Sequence, residues 1–338
     1  MIRSMSVPAR LAHRVSSCAA VLTLALGASA SLPAHADEAS SFPDHPIHFI
    51  VPYAAGGLPD TVARIVAARL TTELGQSVIV DNRPGANGVV AYSAMAGSPK
   101  DGYTYIVTDG SMVSINPKLY SSLPYQPKRD FVAVSLIASS PLFLATTTKT
   151  GINSLDDLIK RAKAHPGRLN YGSSGIGSTH HLSMEAMDAA LGIKLTHVPF
   201  KGTGQSVPAL MSGQVDVLFA ALPSLSGFVD KGDMKILAAN SGKRSALAPN
   251  IPALGETIPG YNFAVTIGVL GAKGIPGYAV DRLSKAIDKV VAEPDVVKHM
   301  TTLGIEPIGG SPAQYQKTLD DESARYATVI KSINLKLE

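Results

Sequence analysis

The chain has 338 residues, with 30 lysines and arginines against 26 acids and a formal net charge of +4. Its basic residues are spread rather than clustered, which excludes the footprint of a nucleic-acid binder. Cys18 is its only cysteine, so there is no disulfide framework, and the length suits two domains with ordinary cores.

Taken in order, residues 1–36 read as a signal peptide. Arg3, Arg10 and Arg14 form a basic start, residues 19–26 a short apolar run, and Ala34-His35-Ala36 a small-x-small cleavage site. The run falls short of the ~20 residues needed to span a bilayer. Cleavage between Ala36 and Asp37 removes Cys18 and three positive charges, leaving a mature chain of about +1. That chain is expected to be exported and soluble.

Residues 47–51 read as a strand ending at Pro52. Val62, Ile65, Val66, Leu70 and Leu74 then mark the apolar face of a helix that Gly75 stops. Between them, Tyr53, Ala54, Ala55, Gly56 and Gly57 lead into the helix with little side chain in the turn. Both glycines can adopt φ > 0 and let another molecule approach bare backbone. A helix that starts there presents free N–H groups and a positive dipole end, which makes an anion site. The same residues also suit a plain strand-to-helix turn. Asp60 sits in the first turn, four residues before Arg64. It reads either as a structural cap and ion-pair partner or as a reader of a ligand amine or hydroxyl.

Strand 77–80, turn 82–88 with Arg83, helix 89–96 and strand 103–108 complete a βαβαβ order, which implies a parallel sheet with covered faces. Asp109, Gly110 and Ser111 close a strand end, the edge where open α/β sheets bind ligands. Two β-rich runs over 131–147, broken at Ser139-Ser140-Pro141, read as the chain leaving a first lobe. A second series follows: a capped helix to Ala164, strand 169–172, loop 173–178, helix 179–191, strand 195–198, loop 200–205, helix 206–211, and strands 215–219 and 234–239. After strand 263–270, helices 278–292, 295–303 and 312–333 are expected to return to the first lobe. The expected fold is α/β and two-lobed. Residues 37–139 and 266–338 form one lobe and 140–265 the other. Hinge crossings near Ser139 and Ser140 and near Thr266 to Gly268 would flank a ligand cleft between the lobes.

The second lobe repeats the glycine turn of the first. Ser173, Ser174, Gly175, Gly177, Ser178 and Thr179 link a strand to a helix, and Ser178 or Thr179 can cap it while leaving N–H groups for an anion. Two such loops, one per lobe, suit clamping an anion from both sides. A dinucleotide fingerprint fails because His180 takes the third glycine position, and a nucleophile elbow centred on Ser174 fails at Ile176. His180 and His181 lie ~100° apart on a helix and cannot chelate one ion together. One of them is expected to face solvent and the other to pack on the sheet. No cofactor or metal is expected. Lys201 and Arg83 are loop cations that either reach a carboxylate or stay solvated.

At these motifs the chain resembles a known family. PYAAGGLPDTVAR, VDNRPGANG, KDGYTYIV, INPKLYSSLPY, LNYGSSGIGSTHHL, HVPFKGTGQSVPAL, SGQVDV and IPALGET are similar, in the same order, to the Bug-type receptors. These are periplasmic substrate-binding proteins of tripartite tricarboxylate transporters. The resemblance implies a Venus-flytrap fold, a monomer, no enzymatic activity, and capture of a small carboxylate for transient delivery to an inner-membrane permease. It places the ligand at residues 53–61 and 173–179 with Ser111 alongside, held by backbone groups and ordered water, and puts His181 rather than His180 where the family's histidine sits. Two positions depart from the pattern: Thr266-Ile267-Gly268 stands where the family has a tryptophan motif, and Phe200 stands for a tyrosine. The rival expectations are an exported hydrolase using Ser173, Ser174 or Ser178, and a ligand-sensing partner of a membrane protein.

Overall fold

The computed structural model describes residues 41–337 apart from 54, 86–87 and 201, so the proposed signal peptide, Ala54 and Lys201 lie outside the described residues. The first strand, β1 (Ile47–Val51), buries Ile47, Phe49, Ile50 and Val51. It can do so because it is interior to its sheet and covered on both faces. β1 feeds helix α1 (Leu58–Leu74), which packs Val62, Ala63, Val66, Ala67 and Leu70 inward and ends at the left-handed Gly75. Then come β2 (Val78–Asn82), α2 (Val89–Ala96) and β3 (Thr104–Thr108). β1 pairs in parallel with both β2 and β3.

β4 (Phe131–Ser140) stays in this sheet, whereas β5 (Leu142–Thr147), one residue later across the buried Pro141, belongs to a second sheet. All six residues of β5 are buried. Helix α3 (Leu155–Ala164), β6 (Asn170–Ser173), α4 (Thr179–Leu191), β7 (Thr196–Pro199), α5 (Thr203–Ser212), β8 (Val217–Ala221) and β9 (Met234–Ala239) build that sheet in the order β7-β6-β8-β5-β9. β10 (Val265–Ala272) returns to the first sheet, followed by α6 (Gly277–Val291), α7 (Pro294–Thr302), the two-residue edge strand β11 (Glu306–Pro307) and α8 (Pro312–Ser332). The first sheet has the order β11-β4-β10-β3-β1-β2. It is mixed rather than wholly parallel, because β10 runs antiparallel to both β3 and β4. The architecture is α/β, with a lobe on each sheet.

The two crossings lie side by side, since Val265 at the start of β10 pairs with Ser140 at the end of β4. Thr266 to Gly268 therefore sit inside a strand, with the crossing just before them. Gly268 is needed there, because a Cβ would meet the Tyr315 ring and come within 2.7 Å of the Ser135 carbonyl oxygen. Asn240, fully buried, ties the crossings together. Its Oδ1 accepts the Leu142 N–H at 2.8 Å, and its Nδ2 donates to the Phe263 carbonyl at 2.7 Å. Its own backbone N–H and C=O pair with Leu142 and Phe263 as well, both at 2.8 Å.

Asn240→Leu keeps the volume but leaves the Leu142 N–H and the Phe263 carbonyl without that side chain. A buried group left unpaired costs about 1–3 kcal/mol, so the variant is expected to lose roughly 2–4 kcal/mol in urea denaturation. A loss under about 0.5 kcal/mol, the scale of a surface substitution, would show that Asn240 does not hold the crossings.

Candidate functional site

The loop after β1 is fixed from beneath. Asp60 is only 2% exposed. Its Oδ2 accepts the Gly56 N–H at 2.8 Å and Arg64 Nε at 3.0 Å, and its Oδ1 accepts Asn82 Nδ2 at 2.8 Å. Asn82 Nδ2 also donates to the Tyr53 carbonyl, and Arg64 reaches back to Asn82 Oδ1. Burial pushes the Asp60 carboxyl upward, but the hydrogen bonds from Arg64, Gly56 and Asn82 outweigh it and hold the group below its ordinary value. Asp60 thus spends its oxygens on the loop and not on the cleft. Gly56 is left-handed at φ 83°, whereas Gly57 is extended at φ −72° and caps α1 with no side-chain hydrogen bond.

On the neighbouring strand end, Tyr53 Oη donates to Asp109 Oδ1 at 2.6 Å and lies 3.0 Å from Ser111 Oγ, while the Ser111 N–H donates to the same Asp109 oxygen at 3.1 Å. Burial, with Asp109 alongside, pushes the Tyr53 hydroxyl well above its usual value, so it remains a donor.

In the second sheet, Ser173 lies buried beneath its loop. Its Oγ donates to the Gly175 carbonyl at 3.2 Å, accepts the Gly175 N–H at 3.1 Å and sits 2.7 Å from His197 Nε2. Ser178 caps α4: its Oγ accepts the His181 N–H at 3.3 Å and donates to the Gly175 carbonyl at 2.7 Å. His181 is buried, accepts the Gly177 N–H at Nδ1 and stacks on His197 with centroids 4.0 Å apart. Burial pulls both rings down to about 4, so they are neutral at pH 7.

Between these loops lies a cavity of about 570 Å³. Of the residues expected at a site, Tyr53, Gly57, Ser111, Ser174, Gly177, Ser178 and Thr179 line it. Ala55, Gly56, Asp60, Thr61 and Ser173 do not, and Ala54 and Lys201 lie outside the described residues. Asp109 from the expected strand end and Leu58 from the expected first loop line it too, and His180, Gly202, Thr203 and the apolar Leu119, Leu142 and Leu337 do so without having been expected to. The cavity touches the starts of α1, α4 and α5 at once. No lysine or arginine lines it among the described residues. The first N–H groups of a helix have no partner within it and carry the positive end of its dipole, so three such starts suit one anion.

The cleft also holds a serine–histidine contact, with Ser174 Oγ 2.8 Å from His180 Nδ1. Burial pulls His180 down to about 4, which makes it a poor base, and among the described residues no carboxylate is hydrogen-bonded to it in the way that marks an activated nucleophile. Among the described residues no group of histidines and acids could hold a metal ion, and no helix is long and apolar enough to cross a membrane.

The model of the tripartite tricarboxylate transporter family receptor matches residues 62–335. The Bordetella pertussis protein BugT is 32% identical over 303 residues, covering 89% of this chain and 93% of its own. Among solved structures, R. palustris Rpa4515 with adipate is 33% identical with a TM-score of 0.77, covering 87% of this chain and 99% of that one. MatC from Rhodopseudomonas palustris with bound malate is 29% identical with a TM-score of 0.70, covering 86% and 100%.

The buried Asp60 network predicts a pH signature. Because its pKa is depressed in the fold, its contribution is full above the ordinary value of 3.8 and is lost as pH falls through the folded value. Asp60→Asn should cost about 1–3 kcal/mol at pH 7, and the gap to the parent should narrow on acidification below 3.8. Denaturation curves at pH 7 and pH 3 check this, and equal stability at pH 7 would contradict it.

Proposed function

This chain belongs to the tripartite tricarboxylate transporter receptor family, and from that premise we propose that it is a periplasmic receptor. It captures a small carboxylate in the cleft between its lobes and delivers it to a membrane permease. The observation that carries this reading is the convergence of three helix starts on one cavity that no described lysine or arginine lines. A carboxylate there would accept hydrogen bonds from the opening N–H groups of α1, α4 and α5 and from the hydroxyls of Ser111, Ser174, Thr179 and Thr203. Hydrogen bonds to a charged group contribute about 1.5–3 kcal/mol each, so a few suffice without a buried cation. Rpa4515 with adipate and MatC with malate support a carboxylate as cargo.

Binding would be coupled to closure of the lobes about the paired crossings. Gly177 of the second loop already packs on Leu119 of the first lobe, where a Cβ would clash with Leu119 Cδ1. Its φ of 76° reinforces the need for glycine. The two lobes meet there with the Leu119 side chain against bare Gly177 backbone.

Gly57 is extended, so a larger residue carries no backbone penalty and acts by filling the cavity wall. Gly57→Val is expected to weaken carboxylate binding at least about tenfold, or 1.4 kcal/mol, with little change in melting temperature. Ser178→Ala should do the reverse: it removes a helix cap, costs about 1 kcal/mol of stability and changes affinity less. Calorimetry and thermal melts on both variants, with scattering on apo and ligand-saturated parent protein, test the reading. A smaller radius of gyration with ligand is expected. Normal binding by Gly57→Val, or turnover of the bound acid, would overturn it.

A further inference from the structure

We infer that Asp109 reads a positively charged donor on the ligand, so that the preferred cargo is an amino-bearing carboxylate rather than a plain acid. The inference rests on the receptor reading above and narrows it. Asp109 is half-buried at the end of β3 and is the only charged group among the described residues that line the cavity. Its Oδ1 is fully engaged by the Tyr53 hydroxyl, the Ser111 N–H and, at 3.5 Å, the Thr108 hydroxyl. Its Oδ2 receives no hydrogen bond from the described protein. One oxygen is thus held rigidly while the other is free for a ligand.

Among the described residues no lysine or arginine lines the cavity to neutralise this carboxylate. Arg64, on the helix that opens at the cavity, is committed to Asp60 and Asn82. His180 across the cavity is neutral at pH 7 because burial pulls it down to about 4. Behind Asp109, Glu322 lies close to Gly110, where a Cβ would come within 3.1 Å of its Oε2. Burial pushes Glu322 up to about 8, so it is mostly neutral, and it accepts a hydrogen bond from Thr266 at 2.5 Å. It supplies no cation.

A ligand made only of carboxylates would close the cleft over an unpaired anionic oxygen. A hydroxyl on the ligand would satisfy the hydrogen bond but leave the charge. An ammonium satisfies both. The placement fits as well, because β1 and β3 are neighbours, and paired strands run about 4.8 Å apart. The α1 start follows β1 and Asp109 follows β3, so a carboxylate and an amino group on adjacent carbons can meet one each.

The test uses two matched series in titration calorimetry at pH 7: succinate, malate and aspartate, and 4-methylpentanoate, 2-hydroxy-4-methylpentanoate and leucine. Within whichever series binds, the amino member is expected to bind about 10- to 100-fold more tightly than its unsubstituted counterpart, with the hydroxy acid between them. Asp109→Asn should bring the amino and unsubstituted members within about threefold of each other, mainly by weakening the amino acid. Tyr53→Phe, which frees Asp109 without removing its charge, should reduce the preference but keep its direction. This second variant decides the matter if the first does not fold. An unsubstituted acid that binds as well as its amino counterpart, or a preference untouched by Asp109→Asn, overturns the inference and leaves the receptor reading standing. Failure of every acid to bind overturns both.

Discussion

The positive ends of three helices meet at one cavity, and much of the structure serves to hold them there. α1 starts where β1 ends, α4 just after β6 and α5 after β7, so parallel strands in two sheets bring the starts of their following helices to one cavity. A helix start has this value for an anion only if the loop before it is rigid and leaves its N–H groups uncovered. Asp60 meets the first need for α1 by binding the Gly56 N–H from the buried side. Ser178 meets it for α4 while leaving the earlier N–H groups of that helix uncovered by its side chain. At α5 the cap is Gly202, with no side-chain bond at all.

The second loop rests on a buried polar layer. Tyr171 stacks on His197, which stacks on His181, with Tyr171 Oη donating to Glu185 Oε1 at 2.5 Å. Burial pushes Asp188, on the same helix as His181, up to about 7, while its Oδ2 accepts the Leu195 N–H at 2.7 Å. The rings are kept neutral by desolvation, so the layer stacks without repulsion between charges. Because Ser173 Oγ bonds both His197 and Gly175, the loop's geometry is set by the same layer.

Much of this was legible in the sequence. The strand, glycine turn and helix over residues 47–74 follow from apolar spacing and Gly75, and the exchange between sheets at Ser139-Ser140-Pro141 shows as a break between two β-rich runs. What local pattern cannot give is the direction of a side chain. Asp60 has the spacing of a surface pair with Arg64, yet it turns inward because Asn82, on the next strand, offers it a partner. Ser173 ends its strand buried, whereas Ser174, one residue into the loop, faces the cavity. The adjacent histidines divide likewise, with His180 at the cavity and His181 in the stack. α5 starts at Thr203 rather than 206 because Gly202, at φ 117°, makes the turn that sequence alone assigns to a longer loop. β11 is too short to carry a periodic signal. Asp109 closes a strand end, but only the Tyr53 contact shows that one of its oxygens is fixed and the other left open.

The central claim is that backbone N–H groups at helix starts hold the anion, and amide resonances of the full mature chain report on this directly. In a ¹⁵N-labelled sample titrated with a bound carboxylate, the amide signals of Leu58, Thr179 and Thr203 are predicted to move downfield together and to saturate with the calorimetric affinity. Saturable binding that leaves all three signals in place would contradict the claim and put the anion elsewhere.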